Sequence, residues 1–270
     1  MRPQVITIAG TDSGGGAGIQ ADLKTFEERN VFGMSVVVAV TAQNTKGVQG
    51  VYPMPLEAIT RQMESLADDF TVSAVKTGML VDAQRIEIVV HAIRRYDWHP
   101  LVVDPVMVAK GGAYLVAPEA IETLSRKLLP LADLITPNTP EAEVLSGLVI
   151  HSDSDRELAA KQIIKRGAKA VLLKGGHDEA NPERARDCFV TKKRTVWLEA
   201  DRIHTPHTHG TGCTLSSLIT AEWAKGNDLE TSVRTAKELL TRAIAQAPEI
   251  GHGHGPVAHW LLREDDGKNE

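Results

Sequence analysis

The chain has 270 residues, 42% hydrophobic and 24% charged, with a formal net charge of -5. That length can bury a large core without disulfide or metal staples. The acidic balance argues against a nucleic-acid binder, which needs a basic face to displace counterions.

Val5 to Gly10 is a short β-branched run ending in glycine, the pattern of a buried strand. A Gly-rich turn follows, then helical spacing over Ile19 to Arg29. Ser35 to Thr41 reads as a strand, and Lys46 to Tyr52 as a small flap strand. Helix Leu56 to Asp69, strand Ala74 to Thr77 and helix Ala83 to Tyr96 come next. Leu101 to Val103 is a strand closed by Asp104-Pro105. Pro118 to Leu128 begins with proline in a first-turn position and reads as a helix. Strand Leu134 to Thr136, short helix Glu141 to Leu145, helix Asp155 to Arg166 and strand Ala170 to Lys174 continue the alternation. Asp187 to Leu198 is a hairpin around Lys192-Lys193-Arg194. Helices Thr211 to Lys225 and Leu229 to Ala247 complete the set.

Repeated β–α units with continuous apolar strands predict a mainly parallel sheet with helices on both faces, a three-layer α/β/α architecture. Aromatics are only 4%, so Val, Ile, Leu and Ala fill the core. One domain over 1–262 and a charged tail over 263–270 are expected. Cys188 and Cys213 are too few for a disulfide framework. Met1 to Gly10 lacks the features of a signal peptide, and no apolar run reaches the ~18 residues of a membrane span. A reducing cytoplasm is the expected compartment.

In such sheets ligands sit outside the carboxyl ends of the strands, and the polar, Gly-rich segments mostly follow strands. His209-Gly210-Thr211-Gly212-Cys213-Thr214 opens a helix. A helix tip offers unpaired N–H groups and partial positive charge, and glycines let an anion approach it. A thiol there is expected to be activated. A buried structural cysteine after a Gly-rich cap is the alternative, and these residues alone leave both open. Thr136-Pro137-Asn138-Thr139-Pro140-Glu141 carries an Asn-x-x-Glu spacing able to support hydrated Mg²⁺; a plain helix cap is the simpler reading. Gly10 to Gly18 fails the G-x-G-x-x-G test, because the third glycine would fall at Ile19, and the chain has no G-K-[ST] P-loop. It is permissive backbone that can wrap a small ligand. Lys174, before Gly175-Gly176-His177, would neutralise phosphate charge or simply be solvated at a turn. His204, His207 and His209, with His252, His254 and His259, lack zinc-hydrolase spacing and read as surface or capping residues.

Taken together and in order, five segments resemble one family. They are Ala9-Gly10-Thr11-Asp12-x-x-Gly15-Gly16-Ala17-Gly18-Ile19-Gln20-Ala21-Asp22, Lys76-Thr77-Gly78-Met79-Leu80, Asp104-Pro105-Val106-Met107, Leu134-Ile135-Thr136-Pro137-Asn138-x-x-Glu141 and the His209–Thr214 segment. They are similar to the hydroxymethylpyrimidine/phosphomethylpyrimidine kinases of thiamine biosynthesis. Gly251-His252-Gly253-x-Gly255-Pro256-Val257 resembles that family's C-terminal signature. Sugar kinases of the wider fold carry aspartate where this chain has Cys213. One departure is Ser13-Gly14, where many members have proline-serine.

The resemblance implies a ribokinase-like fold, ATP and Mg²⁺ as cofactors, a homodimer, and no membrane or nucleic-acid partner. It implies phosphorylation of 4-amino-5-hydroxymethyl-2-methylpyrimidine and then of its monophosphate. Gln43 would read the pyrimidine edge, with Gly10, Asp22 and Met79 lining that pocket. Lys174, Thr208, Thr136 and Asn138 would sit near ATP, and Asp104 and Glu141 would support the metal. Gly210, Thr211 and Gly212 would cradle the transferring phosphoryl group, with Cys213 as base. Lys110 would touch the substrate phosphate in the second step, on a loop from Val106 to Leu115 that closes over the site. A pyridoxal kinase of the same fold is the nearest rival. A catalytically silent binding protein and a dinucleotide oxidoreductase are more distant ones.

Overall fold

A computed structural model describes residues 2–107, 118–175 and 183–263. The described residues form one nine-stranded sheet ordered β3-β2-β1-β4-β5-β6-β7-β8-β9. β1 is Gln4–Gly10, β2 Phe32–Asn44, β3 Gly47–Pro53, β4 Ala74–Thr77 and β5 Leu101–Val103. β6 is Leu134–Ile135, β7 Ala170–Leu173, β8 Arg184–Thr191 and β9 Thr195–Asp201. From β2 to β7 neighbouring strands run parallel. β3 joins antiparallel at one edge, and β8 and β9 at the other.

The helices are α1 (Gly18–Glu28), α2 (Leu56–Asp69), α3 (Ala83–Tyr96), α4 (Pro118–Thr123), α5 (Thr139–Ser146), α6 (Asp153–Lys165), α7 (Thr211–Ala224) and α8 (Leu229–Ala245). Strand alternation deals them to two faces. Ile6, Ile8, Val36 and Val103 pack with Ile59 of α2, Ile86 of α3 and Ile163 of α6. Val5 and Ala74 meet Phe26 of α1 and Ala221 of α7 on the other face. Farther along that face, Val102, Leu172 and Phe189 meet Leu218 of α7 and Val233 of α8. The three-layer expectation therefore holds.

α7 lies across β1, β4 and β5 and is enclosed by α1 and α8. Every residue from Thr214 to Glu222 is buried. A helix covered all round must be small or apolar on every side, which explains its Thr, Ser and Ala content. Its first turn therefore has little freedom to move.

Three of the differences from the sequence pattern have a clear local cause. β2 runs on to Asn44 because its far end pairs with β3. The helix expected to reach Leu128 is α-helical only to Thr123. It widens to a π turn over Leu124–Leu128 and tightens to a 3₁₀ turn at Leu129–Leu131, where Pro130 has no N–H to donate. β7 stops at Leu173, so Lys174 leaves the strand and pairs with Asn138. Lys110, most of the expected closing loop, Gly176, His177 and the tail beyond 263 lie outside the described residues.

Candidate active site

The strand order reverses direction between β1 and β4, and the functional segments follow the carboxyl ends on both sides of that switch. Gly10 ends β1, Thr77 ends β4, and Asp104, Thr136 and Lys174 follow β5, β6 and β7. α7 brings its N-terminus to the same edge.

The tip of α7 is tightly specified. Gly210 adopts φ +78°, and a Cβ there would lie 1.8 Å from the Gly16 carbonyl oxygen. Only glycine fits that conformation and that approach. A Cβ on Gly212 would lie 3.4 Å from Lys174 Nζ and 3.5 Å from Asp104 Oδ2. Glycine therefore leaves open the space between the helix tip and this charged pair. Thr211 N–H bonds back to the Thr208 carbonyl (3.4 Å), and Thr214 N–H is the first to reach Gly210. Gly212 and Cys213 thus present first-turn N–H groups with no acceptor inside the helix.

Asp104, Lys174 and Glu141 form a buried cluster. Asp104 Oδ1 accepts from Lys174 Nζ (3.1 Å) and from the Thr136 hydroxyl (3.2 Å). Its Oδ2 is buried with no hydrogen-bond partner. Burial pushes Glu141 up to about 7; Lys174 pulls it down and Asp104 pushes it further up. Burial would lower Lys174, but Asp104 and Glu141 hold it above its ordinary value. Two carboxylates against one ammonium leave an unsatisfied negative charge. Asn138 and Glu141 form a reciprocal capping box: Glu141 N–H donates to Asn138 Oδ1 (2.9 Å), and Asn138 N–H to Glu141 Oε2 (2.8 Å). The simpler reading of this motif, a helix cap, is thus present. The same cap turns Glu141 toward Lys174 and Asp104. Lys174 N–H donates to the Pro137 carbonyl (2.8 Å), which locks two separate motifs together.

A cleft of about 1020 Å³ opens from this cluster, lined by Asn138, Lys174, Thr208, Thr211 and Gly212 and walled by Ile244 of α8. Gly10, Gln43 and Met79 lie outside it. Gly10 and Met79 do meet: a Cβ on Gly10 would sit 2.4 Å from the Met79 methyl.

Three expectations change. Cys213 is partly exposed, as a working thiol must be. It is not activated, however: burial, with Asp22 and Asp104, pushes it up to about 11 against the pull of Lys76 and the Gly18 N–H. Desolvation outweighs the helix tip. Asp22 does not line a pocket. It is fully buried and accepts from the Thr7 hydroxyl (2.6 Å), Lys76 Nζ (2.8 Å) and the Ser217 hydroxyl (2.7 Å), one helical turn beyond Cys213. Thr136 is also fully buried, and its hydroxyl donates to Asp104.

Two residues at this edge had no role assigned from sequence, and a third, His209, was read only as a surface or capping residue. Lys76 is fully buried, and its partner Asp22, with Cys213 and Asp104, holds it charged despite its burial. A lysine inside the short buried strand Ala-Val-Lys-Thr was the available signal. Asp12 accepts from the N–H groups of Gly14 (2.8 Å), Gly16 (3.0 Å) and Ala17 (2.8 Å), so it shapes the Gly-rich turn. His209 Nε2 lies 2.8 Å from Asp12 Oδ2.

The C-terminal glycine segment straps this end together. His254 N–H donates to the Thr45 carbonyl (2.7 Å), and Gly253 N–H to the Thr45 hydroxyl (3.2 Å). Gly255 N–H donates to His207 Nδ1 (3.1 Å), and His209 N–H to the Gly255 carbonyl (3.1 Å). The histidine segments serve as structural links, and no group of three or more metal-ligating side chains occurs among the described residues.

Comparison with known proteins agrees with this geometry. The family model described as phosphomethylpyrimidine kinase matches residues 12–258. The hydroxymethylpyrimidine/phosphomethylpyrimidine kinase of Haemophilus influenzae is 52% identical over 259 residues, covering 95% of this chain and 96% of that one. Its counterpart in Bacillus subtilis is 45% identical, covering 97% and 96%. Among solved structures, the ADP complex of Bacillus subtilis pyridoxal kinase superposes with a TM-score of 0.90 at 39% identity, covering 97% of this chain and 99% of that one. A phosphomethylpyrimidine kinase from Clostridium difficile gives 0.81 at 43% identity, covering 90% and 100%. The chain is a kinase and belongs to the phosphomethylpyrimidine kinase family.

Proposed function

We propose that the chain transfers the γ-phosphoryl group of ATP to the hydroxymethyl oxygen of 4-amino-5-hydroxymethyl-2-methylpyrimidine, and then to the resulting monophosphate, making the diphosphate used in thiamine biosynthesis. One observation carries the reading. The open α7 tip faces Lys174 and Asp104, with Cys213 beside it.

Phosphoryl transfer has a loose transition state, so positioning and charge stabilisation dominate. The N–H groups of Gly212 and Cys213 hold the transferring oxygens, and Lys174 offsets their charge. Thr208 and Asn138 line the nucleotide side of the cleft. Asp104 Oδ2, buried and unpartnered, and the excess negative charge of Asp104 and Glu141 fit a hydrated divalent cation. Mg²⁺ held there would neutralise phosphate charge. Gln43, Gly10 and Met79 receive the ring. As the hydroxymethyl oxygen bonds to the γ-phosphorus and the bond to the ADP oxygen breaks, its proton passes late to the thiolate form of Cys213, which is scarce at neutral pH because the thiol is raised to about 11. A cytoplasmic homodimer completes the reading. ADP release measured with the pyrimidine alcohol and with its monophosphate tests it; no turnover with either rejects it.

Phosphorylation of pyridoxal is the second reading, favoured by the close superposition on pyridoxal kinases. Pyridoxal also offers a ring and a hydroxymethyl group, and kcat/KM compared across the two alcohols decides between them.

A further inference from the structure

The side-chain amide of Gln43 lies between two groups, His209 Nε2 at 3.3 Å and the Thr41 hydroxyl at 3.3 Å. Each already has an obligation. His209 Nε2 lies 2.8 Å from the ionised Asp12 carboxylate, so that nitrogen carries a proton and donates. Burial would raise Asp12, but His209 and the N–H groups of Gly14 and Ala17 hold it below the ordinary carboxylate value. The Thr41 hydroxyl gives its single proton to the Thr11 carbonyl at 2.8 Å, which leaves only its oxygen to accept.

These two facts fix the amide. In the structure Nε2 faces His209 and Oε1 faces the Thr41 hydroxyl, so two donors oppose each other and that hydroxyl needs a second proton. Turned half way round, the amide satisfies both neighbours. Its oxygen takes the longer arm of a bifurcated bond from the His209 Nε2–H, whose main arm goes to Asp12, and its nitrogen donates to Thr41. One N–H and one oxygen lone pair then remain, side by side.

We infer that His209, held by Asp12, is a positioning residue that locks the Gln43 amide in one orientation and so makes the site selective for a ring edge with an acceptor nitrogen beside an exocyclic amino donor. The free N–H meets the ring nitrogen and the free lone pair meets the amino group. A 4-oxo ring, with N–H beside carbonyl, presents the reversed pattern and would require the amide to turn. Turning breaks the bonds to His209 and Thr41. His209 also begins the Gly-Thr-Gly-Cys helix tip, so one residue links ring recognition to the phosphoryl end. This inference rests on the proposed pyrimidine substrate and on Gln43 as its reader.

The test compares kcat/KM for the 4-amino pyrimidine alcohol and its 4-oxo analogue in wild type, His209→Leu, His209→Gln and Gln43→Ala, with folding checked by circular dichroism. His209→Leu should lower the amino-over-oxo preference by roughly three- to tenfold, the order of one modest hydrogen bond. His209→Gln, which keeps a donor, should restore most of it. Adding His209→Leu to Gln43→Ala should change the preference no further, because the effect runs through the amide. Wild-type preference in His209→Leu, with the preference lost in Gln43→Ala, overturns the lock and leaves the substrate reading intact. Full preference in Gln43→Ala removes Gln43 as reader and the lock with it. Absence of wild-type turnover on the amino compound defeats the substrate reading itself.

Discussion

The two ends of the site handle their polar groups in opposite ways. At the phosphoryl end, needs are left open: Asp104 Oδ2 is buried without a partner, two N–H groups point outward from α7, and negative charge exceeds positive. At the ring end nearly everything is spoken for. Asp12 takes three N–H groups and His209, and Thr41, Gln43 and Thr45 are tied to neighbouring loops. An unsatisfied buried group costs stability until a ligand fills it, so the open end is built to gain from a charged ligand. The saturated end is built to keep its shape, which suits discrimination between similar rings.

Substitutions at the open end should therefore cost chemistry before they cost folding. Cys213→Ala should lower kcat by about 10²–10⁴, the range for losing a general base, with little change in the KM for ATP. A thiol titrating near 11 is protonated at neutral pH, so its thiolate fraction grows with each unit of alkalinity. If Cys213 acts as thiolate, kcat should climb toward alkaline pH in wild type and stay flat in Cys213→Ala; near wild-type turnover in the variant removes the role. Gly210→Ala should cost about 10²–10³ in kcat, the size of losing one oxyanion donor. The new methyl group would collide with the Gly16 carbonyl and shift the helix tip. A milder loss is expected of Asp104→Asn, with Mg²⁺ activation weakened about 10–100-fold in a metal titration.

The smallest effect tests the energetic side of the comparison. Glu141 is raised in the folded chain from 4.5 to about 7. The folded state therefore binds more protons than the unfolded state between these values, and stability falls as pH rises through that window. Above it the penalty is complete. Glu141→Gln should raise the urea midpoint relative to wild type under mildly alkaline conditions and by less under acid ones, while impairing metal activation. Equal midpoints throughout would show that the charge costs nothing.

Much of this was legible from local pattern. α2, β4, α3 and β5 begin and end where periodicity and punctuation place them, because each is a self-contained run between turn residues. The Gly-rich segment before α7 was readable as a helix tip because helix ends have one geometry. What could not be read was set by partners distant in sequence. The raised thiol depends on burial, with Asp22 and Asp104, outweighing the pull of Lys76, groups that meet from three separate segments. Asp22 looked like a pocket residue because its motif borders the ligand edge; only the packing of α1 against α7 shows it sealed beneath Ser217. The pairing of His209 with Asp12 spans 197 positions, which no spacing rule reaches.

The glycine strap carries a consequence for biosynthesis. Its bond from Gly253 to Thr45 spans 208 positions, and its link to His209 closes the same end. A nascent chain halted before residue 251 would already possess Cys213, Lys174, Asp104 and Gln43, yet nothing would cinch the Thr45 turn to the histidine segment. Truncation before this segment would therefore leave the proposed working side chains in place around an unfastened ring seat.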